Sequence, residues 1–208
     1  MEDKESIKEI FERWAHGGMG ISMEWFHPPL HKWWLKRLDL SEDSRVLDIG
    51  CGTGWASRMV AKLIPNGEVV GIDIAEGMIE IAKQKADDHQ NISFRIANVE
   101  NIPYPHDYFD CLISIESFGW FPDPEAALRE MKRVLKIGGK FYIADGYNTW
   151  INRLLIKAFK PWMPGIDKYN LYAEDHIKQL VENEFSDIYQ EVSRCILLTV
   201  GTKTKSSL

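Results

Sequence analysis

A chain of 208 residues is long enough to form one domain with a substantial core and has no need of disulfides. Its formal net charge of −6 gives no basic footprint, which counts against a nucleic-acid partner. No run reaches the roughly 20 apolar residues of a membrane span, and the charged N-terminal stretch lacks the apolar segment of a secretory signal, so no membrane partner is expected. Cys51, Cys111 and Cys195 are far apart and show no metal-ligand spacing, a pattern that suits a reducing, cytoplasmic compartment and no metal.

Residues 1–16 place Ile7, Ile10, Phe11 and Trp14 at i, i+3, i+4 and i+7, which predicts an amphipathic helix ending at Gly17-Gly18. Residues 19–31 hold Trp25, Phe26, His27, Pro28 and Pro29 and are too irregular for a strand; residues 30–38, with Trp33 and Trp34, read as a short helix. These aromatics either pack the N-terminal segment onto the sheet edge or cover a ligand. Residues 46–49 form a short buried strand. Gly50, Gly52 and Gly54 follow at alternate positions, and residues 55–64 read as a helix. A strand feeding a helix through so little side chain lets a ligand lie against bare backbone. The dinucleotide fingerprint needs a third glycine at 55 or 57, where Trp55 and Ser57 stand, so a nicotinamide-dependent oxidoreductase is the weaker alternative. Asp48, two residues before the first glycine, would repel a pyrophosphate; it suits a cationic ligand, or a turn whose N–H groups need tying down.

The string Val46-Leu47-Asp48-Ile49-Gly50-Cys51-Gly52-Thr53-Gly54 resembles motif I of the class I S-adenosylmethionine-dependent methyltransferases. The resemblance implies a bound S-adenosylmethionine, whose sulfonium and ammonium would account for the carboxylate, with Asp48, Gly50, Cys51 and Gly52 around it. A second buried strand over 68–74 ends in Asp73, at the spacing from the glycine turn at which an acid takes two ribose hydroxyls; the other reading is a cap for the helix over 76–86. Ile74 and Met78 would flank an adenine. After a third strand at 92–96, the family commonly places an acid that accepts from the adenine amino group. Asn98 stands there, followed by Val99 and Glu100, and an amide oxygen keeps the acceptor.

A fourth strand covers 109–115, with Ser114 and Ile115 at its carboxyl end, where open α/β sheets bind ligands. Gly119-Trp120-Phe121 replaces the His-His-Leu-like run often found there in the family, so no imidazole is placed at that position. Asp123 and Pro124 open a helix that runs to Leu135 and stops at Gly138-Gly139, and a fifth strand covers 140–144. In 145–172, Trp150, Leu154, Leu155, Ala158 and Phe159 make a helical stripe that either shapes an acceptor pocket or adds a packing helix. A helix over 173–183 and strands at 188–192 and 196–202 follow, with a polar tail.

The expected fold is α/β: a Rossmann-like, doubly wound, seven-stranded sheet, parallel apart from an antiparallel last strand, with helices on both faces. It is a single domain: an N-terminal helical cover (1–40), a cofactor-binding core (41–145), a helical insert (146–172), and a C-terminal helix with a strand pair (173–208). The expected reaction moves the sulfonium methyl to a small-molecule acceptor; a non-catalytic S-adenosylmethionine-binding regulator is the other reading. Glu116, His16 and His27 are candidates for a general base, each with a surface or packing role as the alternative, and no catalytic residue is assigned.

Overall fold

The structure, a computed structural model, describes residues 2–19, 33–86 and 89–205. Val46, Leu47 and Ile49 of β1 (Arg45–Ile49) are fully buried. The strand lies in the middle of a sheet covered on both faces, the setting in which a continuous apolar run is stable as a parallel strand. β1 pairs in parallel with β2 (Glu68–Asp73) on one side and β4 (Phe109–Ile115) on the other. β3 (Ile92–Ile96) lies outside β2, and β5 (Leu135–Gly146) outside β4, both parallel. β7 (Ile196–Thr202) runs antiparallel between β5 and β6 (Ser186–Ser193), giving the order β3-β2-β1-β4-β5-β7-β6. This is the expected seven-stranded sheet with its last strand reversed.

Successive residues of each strand point to opposite faces. Leu47, Val70, Leu112 and Phe141 meet Leu128, Met131 and Val134 of α4 (Pro124–Val134), together with Ile177 and Val181 of α6 (Glu174–Glu182). Val46, Val69, Cys111 and Tyr142 meet Ala56 and Val60 of α2 (Trp55–Ala61), with Ile64 and Trp34. α1 (Glu2–His16) packs its Ile10 and Trp14 beside Met78 of α3 (Glu76–Lys85), and α5 (Trp150–Phe159) follows β5. Strand order reverses between β1 and β4, the switch point beyond which open α/β sheets hold ligands.

Several boundaries differ from those expected. α2 stops at Ala61 rather than 64, because Asn91 donates its side-chain amide to Ala61 O (3.1 Å) and Ile64 O (3.0 Å) and so satisfies carbonyls at the helix end. α4 ends at Val134 and β5 begins at once, five residues early, because Leu135 already pairs with Phe109. The register then shifts between Phe109 and Cys111 at a bulge that contains Gly138 (φ +83°), so Gly138-Gly139 kinks a strand and does not stop a helix. Most of the aromatic segment, Trp25, Phe26 and His27 included, lies outside the described residues; Trp33 and Trp34 sit in a single helical turn.

Candidate functional site

The turn after β1 is folded back on its neighbour strand. Gly50 and Cys51 donate their N–H groups to Ile72 O (2.8 and 3.0 Å). Gly50 has φ +68°, and a Cβ there would come within 2.5 Å of Ser117 Cβ, so no other residue fits. Gly52 has φ +52° with open space where its Cβ would stand, and it lines the cleft beyond the sheet. Asp73 ties this turn to the next element: one carboxylate oxygen accepts from Gly52 N (2.9 Å), the other from Ala75 N at the start of α3 (2.9 Å). Burial nevertheless pushes its pKa up. The two readings of Asp73 are therefore not exclusive. It braces the turn and the helix start, and an ionised carboxylate with about four lone-pair sites keeps acceptor capacity toward the cleft.

The cleft opens to solvent, and with the open solvent at its mouth it spans about 1130 Å³. Its floor is the glycine turn with Ile72, Ile74, Met78, Ala97, Asn98 and Val99. Its far end is Ile115, Glu116, Ser117, Trp120, Phe121 and Pro122, with Ile7 and Phe11 of α1 added. Of the expected residues, Asp48, Gly50, Cys51, Gly52, Asp73, Ile74, Met78, Asn98, Val99 and Ile115 are brought together around it. Ser114 and Glu100 are not among the lining residues. Ser114 is fully buried and shares a hydrogen bond with Ser117 (Oγ–Oγ 2.7 Å), whose hydroxyl donates to Ile49 O (2.7 Å); it stands behind the residue that presses on Gly50. Glu100 contributes its N–H to Asn98 Oδ1 (3.0 Å), which leaves the Asn98 amide oxygen one free lone pair. His16 is exposed and away from the lining, and His27 lies outside the described residues.

The electrostatics favour a cation. Among the described residues the lining holds three carboxylates, Asp48, Asp73 and Glu116, and no Lys, Arg or His. Asp48 is buried, accepts from Ser57 Oγ (2.6 Å) in the first turn of α2, and is pushed up to about 7 by burial. A positive charge placed beside it would favour its ionised form. A pyrophosphate would meet these carboxylates with no counter-charge. Burial also raises the Cys51 thiol, making it a packing residue under the turn.

Several contributors were out of reach of sequence spacing. Glu12 of α1 accepts from Glu76 N (2.7 Å) and Gly77 N (3.0 Å), so an acid 64 residues away supplies the N-terminal cap of α3 and complements its dipole. Phe11, Trp14 and Trp120 form an edge-to-face triad with ring centroids 5.1 to 5.5 Å apart. Beside Trp120, Tyr169 donates its hydroxyl to Asp145 Oδ1 (2.5 Å) at the end of β5, and Asp145 Oδ2 accepts from Phe118 N (3.0 Å). Burial pushes Asp145 up to about 8. Glu116 follows β4 with φ +53°, a left-handed backbone that costs a non-glycine residue about 1 kcal/mol or more and clusters at functional sites.

Residues 47–143 match a family described as a methyltransferase domain. UbiE of Proteus mirabilis, a ubiquinone/menaquinone biosynthesis C-methyltransferase, is 32 % identical over 183 residues, covering 84 % of this chain and 69 % of that protein. Methyltransferase GfsG of Streptomyces halstedii is 35 % identical over 113 residues, 53 % of this chain and 40 % of its own. A chain of the Haloferax volcanii complex between the Trm112 methyltransferase activator and a methyltransferase superposes with a TM-score of 0.83 at 23 % identity, over 94 % of this chain and 98 % of that one. A SAM-dependent methyltransferase from Aquifex aeolicus gives 0.68 at 23 % identity, over 82 % and 87 %. At that identity the two structures speak to the fold, and the fold is the same.

Proposed function

The chain belongs to the class I S-adenosylmethionine-dependent methyltransferases, and from that premise we propose that it methylates a ring carbon of a small hydroxylated aromatic acceptor. The observation that carries this reading is the far end of the cleft, where Phe11, Trp120 and Phe121 line it together with one carboxylate, Glu116. Relatives described as C-methyltransferases of ubiquinone and menaquinone biosynthesis support it.

S-adenosylmethionine, when bound, supplies a methyl group on a positively charged sulfur. Asp73 would accept from the ribose hydroxyls with the lone pairs that Gly52 and Ala75 leave free. Ile74, Met78 and Val99 would hold the adenine between apolar surfaces, and Asn98 would accept from its amino group. Asp48 would favour the cationic end, with Gly50, Cys51 and Gly52 giving backbone contact, Ile115 adding a wall, and Ser114 and Glu100 acting through Ser117 and Asn98. Phe11 and Trp120 would orient a flat acceptor and exclude water, which is where the largest share of a transfer between two bound partners arises, about 7–11 kcal/mol. Methylation at a ring carbon would form one C–C bond as the methyl–sulfur bond breaks to leave a neutral thioether, and the same carbon would then lose its proton; Glu116 is where we place the acceptance of that proton.

The test has two stages. S-adenosylhomocysteine at about 100 times its Kd should add roughly 2.7 kcal/mol of apparent stability while NAD adds none. Methyl transfer from labelled cofactor to hydroxylated naphthalenes should then proceed, and Glu116→Gln should lower kcat by about 10²- to 10⁴-fold without changing cofactor affinity. Binding without transfer to any acceptor would favour a regulatory protein; a Glu116→Gln variant with full kcat would remove the base from Glu116.

A further inference from the structure

α5 faces the wrong way for a packing helix. Within Trp150–Phe159 only Asn152 is buried, its side-chain amide donating to Tyr147 O and Cys195 O (2.8 Å each), with Ile156 half-buried beside it. Trp150 is 72 % exposed, Leu154 57 % and Trp162, just beyond the helix, 74 %; Ile151, Leu155 and Phe159 are exposed as well. At about 100° per residue the apolar side chains sweep roughly half of the helix circumference. Asn152 and Ile156 occupy the next sector, against the protein. Arg153 and Lys157 fill the remaining one and adjoin the Trp150 border. Isolated exposed leucines need no explanation, but a contiguous apolar arc of this size marks a surface that is covered in use.

Charge decides what covers it. Between Thr149 and Tyr169 stand Arg153, Lys157, Lys160 and Lys168 against one acid, Asp167, in a chain whose net charge is −6. Lys160 is paired with that acid (3.1 Å). A second copy of the chain laid on this face would bring two basic sectors together. An anionic bilayer matches both features, since apolar side chains enter the boundary of the acyl region while cations stay among the headgroups, and tryptophan prefers that depth. Ten residues of helix are about 15 Å long, half of a hydrocarbon core, so α5 can lie on a membrane and not through one. Among the described residues no helix is long and apolar enough to cross a membrane, which leaves lying on its surface open.

The segment that follows this face packs beside the residues of the cleft. Met163 and Ile166 pack on the cluster of Ile10, Trp14 and Trp120, and Trp14 Nε1 donates to Pro164 O (3.2 Å). We propose that α5 and Trp162 lie in the headgroup region of an anionic lipid bilayer, apolar arc inward, and hold the acceptor end of the cleft against the membrane surface. This docking stands on the helix itself and holds whether or not the acceptor is aromatic.

The experiment is flotation of the full chain with vesicles of phosphatidylcholine plus phosphatidylglycerol, against phosphatidylcholine alone. Association is expected with the anionic vesicles, with a blue shift of tryptophan emission that falls as salt is raised. Arg153→Gln and Lys157→Gln should each weaken it roughly fivefold. The combination Trp150→Ser, Leu154→Ser and Trp162→Ser should weaken it more than about tenfold. It should leave the melting temperature and the S-adenosylhomocysteine shift unchanged, because these side chains face solvent. No association with anionic vesicles, or association unaltered by the serine combination, would overturn the proposal. So would a dimer in solution that the serine combination dissolves, which would assign the face to a second copy. Trp150 and Trp162 shielded from a soluble quencher in the lipid-free protein would assign it to another part of the chain.

Discussion

α4 and α5 begin alike and end differently. Each is amphipathic, and each opens on a side-chain cap: Asp123 Oδ1 accepts from Ala126 N (2.9 Å), and Thr149 Oγ1 from Asn152 N (3.1 Å). α4 then lays Ala127, Leu128, Met131 and Val134 on the sheet, while α5 turns Asn152 inward and its apolar stripe outward. The cause is what lies beneath. Under α4 is the apolar face of β4 and β5. Under α5 are two carbonyls, Tyr147 O and Cys195 O, that need donors more than they need hydrocarbon. Periodicity tells that a helix has two faces; the partner surface decides which one is inside.

The contrast can be broken at several points. Met131→Ala should cost about 2–5 kcal/mol in denaturant unfolding, and a loss near zero would mean that the α4 face is not sealed. pH tests two separate buried carboxyls, Asp48 at the glycine turn and Asp145 beside the insert, bonded to Tyr169 and Phe118 N. Both have folded values, about 7 and about 8, above the ordinary 3.8. Relative to the unfolded chain their contribution is complete below about 4 and falls away as pH rises from there to about 7 for Asp48 and about 8 for Asp145, on the order of 4–6 kcal/mol per carboxyl at most. Asp145→Asn should abolish the fall between about 7 and 8 and halve its slope below 7; a ligand bearing an ammonium beside Asp48 should bind more tightly as pH rises toward 7 and release a proton. Asn152→Leu should cost about 1–3 kcal/mol by stranding its two carbonyls, although it adds apolar surface. Asp123→Ala and Thr149→Ala should each cost about 1 kcal/mol. Leu154→Ser should change stability by less than about 0.5 kcal/mol, and a larger loss would place that side chain in a core.

What was legible in the amino-acid order was local. β1, the glycine turn and α2 are consecutive, so the string from Val46 to Gly54 shows the strand, the bare backbone and the helix start together. Asp73 was legible through a fixed spacing, and so was its cap on the helix start at Ala75, though its bond back to Gly52 was not. The insert was legible as a helix but not in its direction. Glu12, Asp145 and Tyr169 carry no local mark, since each acts on a partner that only the folded chain brings near. Ser114 shows the opposite case: it stands at the end of β4, where ligands bind, while its hydroxyl is bonded to Ser117. The start of β5 was misplaced because a strand pairing competes with helix propensity at Leu135, and pairing with Phe109 wins.

The place of β7 inside the sheet has a consequence in time. Residues 196–202 complete the second edge of β5, pairing from Lys140 with Thr202 to Gly146 with Ile196. A ribosome delivers them about 50 residues after β5 itself, an interval of roughly 3–10 s at ordinary synthesis rates. During that interval β5 offers an unpaired edge flanked by Phe141 and Tyr142, the sort of template on which nascent chains aggregate. A slower passage through residues 147–195 should therefore lower the yield of folded chain.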